Sequence, residues 1–414
     1  MTHPAKHSVI FSKKTLAALI GTALEFYDFL IFSLLIPVLA PLFFPSSNAL
    51  ISTLYAFGLF FVSYLMRPIG GLIFGYIGDR FGRSRALMIS INTMALSTLF
   101  MGLLPTYGQI GVLAPVLFII LRLIQGASIG GEYIGAALVV VEHAPEKKQG
   151  FYGSIVTSSI IAGVLLANFS CFSLKVLPHA HAWRAAFILG GIIGFVGLFL
   201  RKRFISDTPS KSAPFSLQFI ADALKKDFYN FILCLIYTGI AGAHFYFLFV
   251  YIPAHLTILK GWLPASTLLH NTMMMVLYGV FALVGGYLSD RFSPKKVILA
   301  ASMVCGVLSV TFFYYLEKGG MYTLGYSAIL VYGASLGMYH GPANQFMAQL
   351  FSKQHRYTNI ALSYGLGMAL VGGTTPFMLG YLGLHGVQFQ PWYVLMLTAL
   401  SAVVVLKLRP RYSI

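Results

Sequence analysis

A chain of 414 residues that is 58% hydrophobic and only 9% charged carries more apolar surface than a water-soluble core of that length can bury, so its solvent is lipid. Its 28 Lys and Arg against 11 Asp and Glu would suggest nucleic acid in a soluble protein, but the basic residues fall in short segments between apolar runs, which excludes that partner and marks membrane topology. Cys171, Cys234 and Cys305 lie far apart with no metal-ligand spacing and read as reduced structural thiols, and no metal or cofactor is expected.

The opening segment, 1–15, with Lys6, Lys13 and Lys14, has the charge of a signal peptide. The apolar stretch behind it is too long, holds Glu25 and Asp28 and lacks a small-residue cleavage site, so it is expected to be kept as the first span. A bilayer core of roughly 30 Å takes about 20 apolar residues in a helix. Windows of that kind fall near 16–43, 49–75, 86–104, 110–141, 150–172 and 184–202, and again near 229–256, 266–289, 297–316, 322–350, 357–383 and 391–408. The reading is an all-α membrane protein of twelve helices in two pseudo-symmetric bundles, 16–202 and 229–408. They are joined by a cytoplasmic linker, 203–228, that holds Pro209, Pro214 and three aspartates, and 409–414 follows as a cytoplasmic end.

Orientation follows from the basic residues. Twenty-two lie on the side of the N-terminus, the even-to-odd loops and the C-terminus, with Arg201, Arg291 and Arg356 counted among them. The opposite loops hold only Lys175, Lys260 and Lys318, and Arg67, Arg122 and Arg184 lie in or at the edge of spans. Both ends are therefore expected in the cytoplasm of a cell (inner) membrane.

Where spans two and three meet stands Gly75-Tyr-Ile-Gly-Asp79-Arg80-Phe-Gly82-Arg83-Ser-Arg85, and 211 positions on, between spans eight and nine, Gly286-Tyr-Leu-Ser-Asp290-Arg291-Phe-Ser-Pro-Lys295-Lys296. Duplication of a six-helix unit explains the pair. A turn after Gly78 needs little side chain, Asp79 can cap a neighbouring helix N-terminus, and Arg83 can pair across the bundles. With Glu142 at the end of span four, these residues form a candidate gating cluster; the plainer alternative is that the basic ones are only cytoplasmic anchors.

Together with this loop, Glu25-Phe-Tyr-Asp28-Phe, Arg67-Pro-Ile-Gly-Gly71, Arg122-Leu-Ile-Gln-Gly126-Ala-Ser-Ile-Gly130-Gly131-Glu132-Tyr and Arg356-Tyr357-Thr resemble the major facilitator superfamily. Within it they resemble the metabolite:proton symporters that include the proline/betaine porters, over about 15 to 408. The resemblance implies the twelve-helix fold, a central site, proton symport into the cell by alternating access, and a loop that closes the cytoplasmic side. Ser293-Pro294 replaces the more usual Gly-Arg in the second loop. The chain ends at Ile414 without the coiled-coil tail of the osmosensing porters, so the resemblance does not extend to osmotic regulation.

Ionised side chains inside a bilayer cost several kcal/mol, so Glu25, Asp28, Arg67, Arg122 and Glu132 are the first candidates for function. At 1.5 Å per residue Asp28 lies roughly 18 Å into the outward-running first span and Arg122 at similar depth in the inward-running fourth. Glu25 is one turn below Asp28 on the same face. A carboxylate that loads and releases a proton needs burial and a cation whose approach or departure tips the balance, and Asp28 with Arg122 fits. On this reading Arg122 holds a substrate carboxylate through its planar fork while Asp28 or Glu132 takes the coupled proton. The alternative is a fixed ion pair that only sets helix packing.

Gly126, Gly130, Gly131 and Gly135 have the spacing of a close helix contact. In the second half His244, and His340, Asn344 and Gln345 around a helix break at Gly341-Pro342, are cavity candidates. No metalloprotease, nucleophile-elbow or phosphate-loop motif is present, so no enzyme is expected. The expected partners are a small-molecule substrate and the lipid bilayer, for a monomer with H⁺ as coupling ion. A zwitterion such as proline or betaine is favoured, and dicarboxylates, aromatic acids or export by the same superfamily remain alternatives.

Overall fold

The computed structural model describes residues 13–46, 59, 63–175, 182–204, 217–258, 264–317, 326–384, 390–412 and 414. The segment 1–12 with Lys6, most of the first half of the window near 49–75, the linker stretch 205–216, Lys260 and Lys318 lie outside the described residues.

Among the described residues every element is helical. The first six are α1 (Lys13–Phe43), α2 (Arg67–Phe81), α3 (Arg83–Leu103), α4 (Leu113–His143), α5 (Gln149–Lys175) and α6 (Ala182–Phe204). A short amphipathic helix, Leu217–Lys226, precedes α7 (Phe228–Tyr246, continued by a π-helical stretch Phe247–Tyr251 and by Ile252–Ile258). Then follow α8 (Pro264–Arg291), α9 (Pro294–Glu317) and α10 (Tyr326–His340 and Ala343–Ala348). The last two are α11 (Arg356–Gly367, a π-helical stretch Met368–Gly372, and Thr375–Leu384) and α12 (Gln390–Lys407).

Ten of these are long and apolar enough to cross a membrane. The remaining two expected spans are α2, described only in its second half, and α10, which Gly341-Pro342 interrupts because proline supplies no N–H and restricts the residue before it. Exposed apolar residues recur at helical spacing, Ile192, Val196 and Phe199 on α6 and Met303, Val307, Val310 and Tyr314 on α9, as lipid-facing stripes require.

The chain divides into two compact units, 1–139 with 162–216, and 140–161 with 217–414. In the first, α3 packs along α6 and α1 along α6. α2 and α4 approach through missing side chains: a Cβ on Gly126 would strike the Ser63 carbonyl, one on Gly130 the Arg67 carbonyl, and one on Gly70 the Ala127 carbonyl. That reciprocal contact brings backbone against backbone and fixes the rotation of α4. In the second unit α8 packs along α10, α9 against α10 and α12, and α7 against α11. The π-helical turn of α11 closes with the Gly373 N–H on the Met368 carbonyl, five residues back.

The expected turn after Gly78 lies elsewhere. α2 runs on through Gly78 to Phe81 and the chain reverses at the single residue Gly82, whose φ of 103° suits a residue without a Cβ.

Candidate functional site

α1 presents Asp28 and, one turn on, Phe32; α4 presents Arg122 and Gln125, also one turn apart. The two faces meet in the interior of the first unit, where Asp28 is 1% and Arg122 4% exposed. They are joined through Gln125. Arg122 Nη1 donates to Gln125 Oε1, and Gln125 Nε2 donates to Asp28 Oδ2 at 3.2 Å and to Thr98 Oγ1 of α3 at 2.8 Å. Thr98 Oγ1 stands 2.6 Å from Asp28 Oδ2 and 2.9 Å from the Met94 carbonyl, so its one proton has two acceptors in reach. The Arg122 guanidinium lies 3.6 Å above the Phe32 ring, a cation–π contact in a desolvated setting. Asp28 Oδ1 and Arg122 Nε have no hydrogen-bond partner among the described residues. α6 passes this spot at Gly190, where a Cβ would stand 3.0 Å from Asp28 Oδ1.

The other buried acids have partners of their own. Glu25 Oε1 lies 3.9 Å from Arg67 Nη2, and Arg67 lies over the Tyr64 ring at 4.3 Å. Glu25 Oε2 has no partner among the described residues. Glu132 takes a bidentate pair from Arg201: Nη1 donates to Oε2 at 3.0 Å and Nη2 to Oε1. Ser90 also donates to Glu132 Oε2, and Arg201 Nη1 reaches the Leu87 carbonyl at 2.8 Å. Both side chains of the pair are fully buried. Arg201, counted from the sequence as a loop cation, is therefore turned into the helix packing, drawn there by a buried carboxylate.

In the loop motif, Asp79 Oδ1 accepts from Arg83 Nη1 at 2.5 Å, across the turn at Gly82. Gly75, Arg80 and Arg85 lie on the adjoining ends of α2 and α3. In the second copy of the loop an aspartate caps a helix: Asp290 Oδ1 and Oδ2 accept from the Gly150 and Phe151 N–H groups at 2.7 and 2.8 Å, in the first turn of α5. Arg291 lies over the Tyr287 ring at 4.5 Å. Glu142 accepts from Arg356 at 3.2 Å, and Arg356, another residue counted as a loop cation, has no exposed side-chain surface. Asp290→Ala should lower the stability of the purified protein by about 1 kcal/mol through loss of that cap, read as a lower melting temperature in detergent; an unchanged melt would show that the α5 amides find other acceptors.

The candidates of the second half fall into two groups. Asn344 donates to the Gly153 carbonyl at 3.0 Å and to Thr157 at 3.2 Å, and Gln345 accepts from Ser289 at 3.1 Å, so both tie α10 to its neighbours α5 and α8. The Gly341 N–H keeps its helical bond to Gly337, and a Cβ there would meet the Ala282 carbonyl. The break thus sits where α10 packs closely on α8. His244 and His340 spend Nδ1 on the carbonyls of Ile240 and Leu336 and lie against the Tyr339 ring. His340 also faces Phe245 and Tyr278.

Gln125, Thr98, Phe32, Ser90 and Arg201 are the site residues the sequence did not single out. Gln125 carried a usable signal: it stands three residues after Arg122, on the same face of one helix.

Known proteins resemble the chain throughout. Residues 18–376 and 261–413 match the Major Facilitator Superfamily. A putative proline/betaine transporter of Staphylococcus aureus (strain MSSA476) is 30% identical over 406 residues, 95% of this chain and 86% of that protein. The proline/betaine transporter of Escherichia coli (strain K12) is 29% identical over 412 residues, 95% of this chain and 82% of that one. Among solved structures, the proton:xylose symporter XylE bound to 6-bromo-6-deoxy-D-glucose superposes with a TM-score of 0.79 at 17% identity, over 96% of this chain and 95% of that one. A partially occluded inward-open form of XylE from E. coli gives 0.72 at 17% identity, over 97% of each chain. Membrane-length helices, the repeated Asp-Arg-Phe loop and this likeness in sequence and fold make the chain a multi-pass membrane transporter that belongs to the Major Facilitator Superfamily.

Proposed function

We propose that this transporter is a proton symporter that imports a small zwitterion of the proline or betaine kind across the cell (inner) membrane by alternating access, with both ends of the chain in the cytoplasm. The observation that carries the reading is a buried carboxylate and a buried cation joined by one amide, each with a polar atom left without a partner: Asp28 Oδ1 and Arg122 Nε. A proton bound at Asp28 removes the charge that holds Arg122, and the guanidinium then serves a ligand carboxylate. Release of the ligand returns Arg122 to Asp28 and expels the proton. Charge bookkeeping of this kind ties proton and substrate together without contact between them.

Glu132 has a bidentate partner in Arg201 and supports α3, α4 and α6, so we assign the proton to Asp28. The substrate class is supported by the names of the relatives from S. aureus and E. coli, and proton coupling by the name of the fold neighbour. The loops at Asp79 and Asp290 and the Glu142–Arg356 pair are read as the cytoplasmic gate.

The test is uptake by proteoliposomes that hold the purified protein. Radiolabelled proline or glycine betaine should accumulate when the outside is acid, and a protonophore should abolish the accumulation. Downhill flux indifferent to the pH gradient would overturn symport, and accumulation of a dicarboxylate in place of both zwitterions would overturn the substrate class.

A further inference from the structure

We propose that Gln125, with Thr98, is the positioning element that transmits the proton occupancy of Asp28 to Arg122 and so sets when the cation can take a ligand carboxylate. The inference rests on the assignment of Asp28 and Arg122 made above.

The orientation of the Gln125 amide follows from its neighbours. A guanidinium has only donors and a carboxylate only acceptors, so the oxygen must face Arg122 and the nitrogen Asp28, as they do. In that orientation the amide extends the attraction between the two charges, and both hold it. Its Nε2 reaches Asp28 Oδ2 and Thr98 Oγ1 together. Thr98 is the second moving part. While Asp28 is ionised its hydroxyl proton belongs on Oδ2 at 2.6 Å, since a bond to a charged acceptor is the stronger. Once Asp28 carries a proton, the hydroxyl can turn to the Met94 carbonyl at 2.9 Å.

The incoming proton has one open place, Oδ1, because Oδ2 already faces two donors. An O–H bond forms there as the O–H bond of the hydronium ion that delivers the proton breaks and leaves water. The carboxyl group becomes neutral, its pull on Gln125 Nε2 falls, and Thr98 no longer has to donate to it. The amide is then held only from the Arg122 side, and the two can swing together toward a ligand carboxylate, with Phe32 guiding the guanidinium face. The reverse sequence restores the starting network when the proton leaves.

The experiment measures binding of radiolabelled proline and of glycine betaine to the purified protein in lipid nanodiscs across a pH series. In the wild type the affinity should rise as pH falls, with a limiting slope of about tenfold per pH unit for one linked proton. Gln125→Met, of similar volume but without donor or acceptor, should bind with a slope below about twofold per unit. Gln125→Leu, a second variant in case the first does not fold, likewise lacks both the acceptor for Arg122 and the donor to Asp28, and should flatten the slope as well. A merely structural glutamine would weaken binding by the same factor at every pH and leave the slope intact, and that result in either folded variant overturns the proposal. Loss of binding at every pH in a folded Gln125→Met would make Gln125 a ligand contact and overturn it too. Asp28→Asn separates this failure from failure of the underlying assignment. It should bind independently of pH. If it keeps the wild-type slope, or if the wild type binds neither probe, the reading of the site fails; if it is flat while the Gln125 variants keep the slope, only the role of Gln125 fails.

Discussion

Asp28→Asn transporters reconstituted with a pH gradient should bring substrate only to equal concentrations on the two sides, while exchange of internal for external substrate continues. In a one-proton symporter each unit of pH gradient is worth about 1.4 kcal/mol, a tenfold concentration ratio, so the expected change is from about tenfold accumulation to none. Asparagine preserves the shape and can still accept from Thr98 and Gln125 through its side-chain oxygen, so the local packing should survive. Missing is only the ability to alternate between charged and neutral forms. With that alternation gone, Arg122 is never recaptured by a carboxylate at this position, and the loaded carrier reorients in either direction without a proton. Accumulation by the variant at the wild-type level would remove Asp28 from the coupling mechanism.

The second large effect is on stability. Arg201→Ala leaves the Glu132 carboxylate in a fully buried position with only the Ser90 hydroxyl to compensate it, and should cost about 3–5 kcal/mol. The expression yield and the melting temperature in detergent should both fall. Replacing both partners, Glu132→Gln with Arg201→Met, removes the charge as well as its counter-ion and should recover most of the loss. α1 crosses the pair at Gly21, where a Cβ would overlap both Arg201 Nη2 and Glu132 Oε1, so the damage from a single replacement extends to the helix that carries Asp28. If the double variant still accumulates substrate on a pH gradient, Glu132 is a structural acid. A stable, folded double variant that exchanges substrate but no longer accumulates it would move the proton from Asp28 to Glu132.

These expectations depend on features of unequal legibility. Membrane spans are written in runs of about 20 apolar residues, a local property, and α3 to α9 lie where the hydropathy windows put them. The repeated Asp-Arg-Phe loops were equally plain because the second copy tests the first. The use made of the loops was not. Asp290 caps α5, and which helix start comes within reach of the aspartate is decided by what packs beside the loop, which no spacing rule contains. Gly341-Pro342 shows the same limit: a break in α10 was foreseeable from proline chemistry, but the close contact with α8 at Ala282 that accompanies it required the neighbour.

Composition and the order of apolar runs were enough to decide the solvent, the helices and the residues costly enough to be interesting, because transfer of a side chain into lipid depends on that side chain alone. Partner choice among the buried charges was settled by packing. Glu132 met Arg201 and Asp28 met Gln125 because the glycine contacts of α4 with α2 fix how α4 is rotated, and that rotation aims one face at α6 and another at α1. Hydrogen bonds and ion pairs are short-ranged and directional, so Glu132 pairs with a cation sixty-nine residues on that the fold has brought within bonding distance.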